Sequence, residues 1–186
     1  MKVWQFALVP LFALNLLNLS HAQVPMLQGD WESVASEASG PIYATRAFHF
    51  EGDRWKVVFH AYADAGKNVP LFTLNVGGLF VIGDQSATVP GAYEGIFPAR
   101  YRYITADSEA GVNFFAGMGC ALRKDDEREL ISNGCGFVPS LMQAMGEYDL
   151  VSIRDEQLFF GDRSGDLTKA RPSQLTPYPL RKVASK

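Results

Sequence analysis

Two histidines are the first residues to test for chemistry. His49 and His60 each lie inside an alternating apolar run, and Asp64 follows four residues after the second. If the two runs pair as strands, imidazoles and carboxylate could ligate a metal. Histidines on the polar face of a strand without that role are far commoner, so no metal site is assigned. Ser164 stands in Arg163-Ser164-Gly165, not in a Gly-x-Ser-x-Gly elbow, and so lacks the setting of a serine nucleophile. The carboxylates are scattered through turns. A glycosidase needs two of them facing across a cleft, which the linear pattern does not supply. No glycine-rich phosphate cradle joins a strand to a helix. The chain is therefore expected to be no enzyme, with no cofactor and no metal.

Binding chemistry is better represented. Arg46 shares a strand face with Phe48 and Phe50 by simple alternation, which points a guanidinium toward an apolar side. There it could clamp a carboxylate headgroup. The alternative is a structural arginine covering Trp31 or pairing with Glu94, and that is the commoner fate of such a residue. Around it, Phe48, Phe50, Trp55, Val57, Phe59, Phe72, Leu74, Val76, Tyr93, Phe97, Tyr101 and Tyr103 can line one interior. Aromatic walls with a few polar groups make an apolar pocket, and the tyrosine hydroxyls could meet a headgroup at its mouth. The bland alternative is a solid core of the same residues.

The elements that must position these groups are strands. Ile42 to Phe50, Trp55 to Tyr62 and Leu71 to Ile82 are rich in aromatic and β-branched residues. Glu51-Gly52-Asp53 and Asp64-Ala65-Gly66-Lys67-Asn68 punctuate them with turn formers. One apolar face against one mixed face is the antiparallel pattern, and the short connections favour a meander. Gly77-Gly78 inside the third run suggests a bulge or a sharp coil. From Tyr93 to Tyr103 the aromatics recur on one face, with Glu94, Arg100 and Arg102 on the other. Val112 to Ala116 reads as another short strand. Arg123 to Arg128 is a mixed charge run suited to a solvated hairpin tip or helical turn, and Pro139 to Met145 suits one short helix. Glu147 to Ile153 and Gln157 to Gly161 form a final hairpin, and the tail after about residue 175 looks mobile. The fold class is all-β: a single antiparallel β-barrel of roughly eight to ten strands with one short helix.

The ends and the composition set the compartment. Lys2, the apolar Phe6 to Leu19 and the small-x-small Ser20-His21-Ala22 form a signal peptide over residues 1–22, leaving 23–186 as one domain. No later apolar run has membrane length, so no transmembrane anchor is expected. The net charge of −3 gives no reason to propose nucleic acid as a partner. The expected location is secreted or periplasmic. In that oxidising setting Cys120 and Cys135 are expected to form a disulfide, worth about 3 kcal/mol, rather than free thiols or a metal pair. The oligomeric state is left open.

Short motifs then add a resemblance. Gly29-Asp30-Trp31 is similar to the Gly-x-Trp that opens lipocalin-like barrels, where the tryptophan closes one end against a late arginine; the plain reading is a core tryptophan after a turn glycine. Trp31-Glu32-Ser33, Thr45-Arg46-Ala47-Phe48-His49-Phe50, Asp64 before Pro70-Leu71-Phe72-Thr73, Ser86 and Gly91-Ala92-Tyr93-Glu94 follow in order. So do Asn133-Gly134-Cys135, Glu147-Tyr148-Asp149-Leu150, Leu158-Phe159-Phe160-Gly161-Asp162-Arg163 and Arg171-Pro172-Ser173. In order and spacing the chain resembles the adenomatosis polyposis coli down-regulated domain, known from animal cell-surface Wnt inhibitors. The resemblance implies a lipocalin-like barrel, and a hydrophobic ligand such as a lipid acyl chain. It does not imply Wnt binding, because one short exported domain looks like a microbial relative. Ser36 and Lys67 stand where relatives carry a further cysteine pair; Cys120 and Cys135 match the later pair. The leading expectation is a binding protein for a hydrophobic small molecule, and the alternative is an extracellular protein-interaction module with a solid core.

Overall fold

The computed structural model describes residues 26–184, so the expected signal peptide lies outside the described residues. The three organising runs fold as a meander. β3 (Ile42–Glu51) turns at Gly52, which adopts a φ of +58°, into β4 (Arg54–Tyr62). β4 returns along β5 (Pro70–Leu79), with Arg46 opposite Phe59 and Phe59 opposite Leu74. β5 then pairs with the long β7 (Tyr93–Ala106). The expected third run breaks at Phe80, beyond which β6 (Val81–Gln85) folds back on β7 as a separate strand.

The remaining strands close a ring. β7 pairs with β9 (Gly146–Arg154), β9 with β10 (Gln157–Phe160), and β10 with β11 (Leu180–Val183). β1 (Gly29–Ser33) pairs on one side with β11 and on the other with β3. Eight strands therefore form a closed antiparallel circuit, which removes the exposed edges an open sheet would present. β2 (Glu37–Ser39), β6 and β8 (Glu127–Glu129) lie off this circuit, giving eleven strands among the described residues. The charge run before Leu130 thus contributes β8 to the outside of β7. The tail expected to be mobile instead supplies β11, the strand that shuts the ring.

The one helix among the described residues is α1 (Glu109–Ala116), where a strand is expected from Val112 onward. Ser108 caps it, accepting the Gly111 amide at 3.1 Å, and Glu109 places a negative charge in its first turn. Phe115 is buried against Phe72, so the apolar run serves a helix face. The helix expected at Pro139 to Met145 does not form. Ser140 and Gln143 exchange side-chain-to-amide hydrogen bonds of 2.8 and 3.2 Å, and the carbonyls of Pro139, Ser140 and Ala144 accept from Arg102. The Ser140 carbonyl also accepts the Ala144 amide at 3.1 Å, but the amides of Leu141 and Met142 donate to Leu130 and Ile131, which keeps the segment from continuing as a helix. The disulfide joins Cys120 to Cys135 and ties this segment to the end of α1.

A bulge sets the phase of β7. The pairing runs from Gly77 opposite Tyr101 to Gly78 opposite Ala99, so Arg100 is an extra residue. Before it, Tyr93, Gly95, Phe97 and Ala99 are the buried positions; after it, Arg102, Ile104 and Ala106 are. A Cβ on Gly78 would stand 2.9 Å from the Arg100 amide nitrogen and closer still to the Pro98 carbonyl. The glycine is what lets the two backbones approach there.

Candidate functional site

The ring is packed at both ends, with a hollow between them. Leu27, Trp31, Phe50, Tyr93, Leu158 and Leu180 pack one end, and Ile42, Ala61, Phe72, Ile104 and Phe115 pack the other, under α1. Phe48, Phe97 and Phe160 belong to the first cluster and also form the floor of a cavity of about 720 Å³. That volume lies within the roughly 300–1,000 Å³ typical of ligand pockets. Its walls come from Trp55, Val57 and Phe59 of β4, Phe72, Leu74 and Val76 of β5, and Ala99 of β7. Trp55, Val57, Phe59 and Leu74 point inward and pack against the two clusters, yet stay only partly buried where they face the cavity. Phe137, two residues after Cys135, stacks near Phe72 and Phe115 and lines the cavity while remaining 56% exposed.

Of the residues expected to line an interior, Arg46, Phe48, Trp55, Val57, Phe59, Phe72, Leu74, Val76 and Phe97 meet in this cavity. Phe50 and Tyr93 do not reach it, since they are part of the first packed end. Tyr101 and Tyr103 are the correction. The bulge at Arg100 reverses the alternation, so both rings lie outside the ring of strands. There Tyr103 hydrogen-bonds Glu129 of β8, which raises its hydroxyl above the ordinary value. The same reversal brings Arg102 inside, where simple alternation had put it on the outer face. Arg102 is only 4% exposed, and burial pulls its guanidinium below the usual arginine range.

Arg46 is on the inner face as alternation requires, but its charge is already answered. Its Nε donates to Glu37 at 2.7 Å, and a terminal nitrogen donates to the Tyr178 carbonyl at 3.3 Å. Its partner is thus neither Trp31 nor Glu94. Trp31 donates its indole N–H to the Leu27 carbonyl at 2.6 Å and lies under the Lys182 ammonium, so a late lysine holds the place where an arginine was expected. Glu94 pairs with Arg171 at 3.3 Å.

A polar cluster missed by strand patterning stands at the rim, where its Glu147 and Arg163 line the cavity and its Asp149 and Arg171 lie behind them. Glu147 and Asp149 alternate on β9 and both meet Arg163, Asp149 at 3.1 Å. Asp149 is 2% exposed; its Oδ1 accepts the amides of Leu150 and Gly161 at 2.8 Å. Burial pushes its carboxyl up to about 6, against the pull of Arg163 and those amides. Arg171 donates to the carbonyls of Gly95 and Asp149, stitching β7 to β9. These residues are far apart in sequence, and the only earlier signal for them was their place in the ordered short motifs.

Those motifs now have a family to answer to. The sequence profile described as adenomatosis polyposis coli down-regulated 1 matches residues 15–115, more than half of the chain. The chain belongs to that family. No curated protein matches the chain. Family membership and the disulfide are consistent with an extracellular type of domain. The Ser36 hydroxyl donates to the Ala65 carbonyl at 3.1 Å, in the turn that holds Lys67. That turn is held by Asp64, which accepts the amides of Val69 and Asn68 at 2.8 and 3.0 Å.

The histidines are not brought together. His60 stands opposite Thr45 and donates from Nδ1 to Thr73 Oγ1 (2.9 Å), whose own hydrogen goes to Asp107, while His49 stands opposite Lys56 and meets Asp30 at 2.7 Å. Among the described residues no three His, Cys, Asp or Glu side chains are grouped to hold a metal, and no helix is long and apolar enough to cross a membrane.

Proposed function

We propose that this protein is an exported binding protein, secreted or periplasmic, that holds a hydrophobic small molecule, an acyl lipid, inside the ring of strands. It acts by binding and not by catalysis. The observation that carries the reading is the cavity of about 720 Å³, lined by inward apolar side chains that stay only partly buried. Apolar surface facing that space is stabilised by any chain that displaces its water, at about 25 cal/mol per Å². The closed circuit of strands keeps the walls in place without the ligand, so little ordering cost is added on binding.

The test has two arms. Protein purified without detergent is analysed by native mass spectrometry and by solvent extraction, and the neutral fluorophore N-phenyl-1-naphthylamine is titrated into the stripped protein. A lipid adduct and saturable dye binding are expected, and Val57→Trp with Leu74→Trp should abolish the dye binding while the fold is retained. A stripped protein that neither carries an adduct nor binds the dye would end this reading and favour a protein-interaction module.

A further inference from the structure

The charges around the cavity say what kind of polar end the occupant has. Three cations line it, Arg46, Arg102 and Arg163, and all three are engaged within the protein. Arg46 is matched by Glu37 at 2.7 Å. Arg102 gives three hydrogen bonds to the carbonyls of Pro139, Ser140 and Ala144 and has Glu147 at 3.8 Å. Arg163 is shared between Glu147 and Asp149. Four carboxylates line the cavity against these three cations: Glu37, Glu147, Asp162 and Asp166. Asp162 has uncharged partners, the Ser164 amide and the Gln174 side chain, and Asp166 is paired with Lys169 at 2.8 Å. A carboxylate or phosphate entering this space would find no spare cation and several resident anions.

We infer that the ligand is an uncharged amphiphile: a single apolar chain whose polar end carries no charge, as in an ester, and not a free fatty acid or another anion. This rests on the proposed lipid-binding role and narrows it. It also reverses the role that alternation alone offered to Arg46, since a guanidinium already held by Glu37 is not free to clamp a headgroup.

The experiment is displacement of N-phenyl-1-naphthylamine at pH 8 by dodecanoate and by methyl dodecanoate, which share one chain and differ in charge. The ester should displace the dye at a concentration at least about tenfold lower than the acid anion. Glu37→Gln should shrink or invert that ratio, because it frees Arg46, and dodecanoate should then raise the melting temperature of the variant more than that of the wild type. Equal displacement by the two, or a preference for dodecanoate, in the wild-type protein would overturn the inference whether or not Glu37→Gln folds. Failure of the dye itself to bind would instead remove the cavity reading on which it rests.

Discussion

β3 and β7 each carry one arginine into the ring, and they do so by different means. In β3 the alternation is unbroken from Ile42 to Phe50, and Arg46 is inside because Phe48 and Phe50 are. In β7 the alternation fails at Arg100, and Arg102 is inside because one extra residue reverses the phase. Arg46 is held by a carboxylate; Arg102 is held by backbone carbonyls of the Pro139 to Ala144 segment. Side-chain pattern alone dictates the first wall. The second depends on a close backbone approach that side-chain pattern does not encode.

Removing that approach has the largest expected effect. Gly78→Val forces a side chain into the Pro98 carbonyl and the Arg100 amide, and neither backbone group can rotate away. It should cost about 3 kcal/mol or more, read by chemical denaturation. Gly52→Ala in the β3–β4 turn is the matched control. Nothing lies within 4 Å of a Cβ there, so only the positive φ is strained, at a cost of about 1 kcal/mol. Equal costs at the two glycines would mean that the bulge does not depend on Gly78.

The arginines themselves should separate next. Arg46→Met leaves Glu37 charged and largely buried, which should cost about 3 kcal/mol, and Arg46→Met with Glu37→Leu should recover most of it. Arg102→Met leaves neutral carbonyls that water can reach from the cavity, for about 1–2 kcal/mol. A double-mutant cycle on Arg46 and Glu37 with no coupling would show that the pair is spectating, and the contrast between the two walls would lose its energetic side.

How much was legible follows from the same contrast. The β3–β4–β5 wall could be read because period-2 alternation, turn glycines and aromatic content all agreed there. That gave Arg46, Phe48, Trp55, Val57, Phe59, Phe72 and Leu74 their inner face. Tyr101, Tyr103 and Arg102 were misplaced because a single inserted residue inverts every position after it. Gly77-Gly78 did signal a bulge, but not that the extra residue would sit on the partner strand. Helix α1 was hidden because Phe114 and Phe115 look like strand residues, although Ser108 before Glu109 is a capping signal that could have found it. The rim of Glu147, Asp149, Arg163 and Arg171 is non-local, so no window along the chain contains it.

A pH-dependent effect is expected at that rim, where a carboxylate is buried more deeply than its counterpart beside β3. Glu37 keeps some exposure and one dedicated arginine; Asp149 is almost wholly enclosed and shares Arg163 with Glu147. Its carboxyl is pushed up to about 6, while an unfolded aspartate titrates near its ordinary 3.8. Between those values the native state holds a proton that the unfolded state has released. The stabilisation this gives is complete below about pH 4 and is lost as pH rises through about 6, a change on the order of 3 kcal/mol. Asp149→Asn does not titrate. The difference in unfolding free energy between wild type and this variant should therefore decline from pH 4 to pH 7. Asp64, Asp162 and Asp166, all held below the usual carboxylate range by hydrogen bonds, act in the opposite sense but are common to both proteins and cancel. A flat difference would mean that Arg163 and the amides of Leu150 and Gly161 keep Asp149 ionised throughout. The rim would then be held as the β3 wall is, by a matched ion pair.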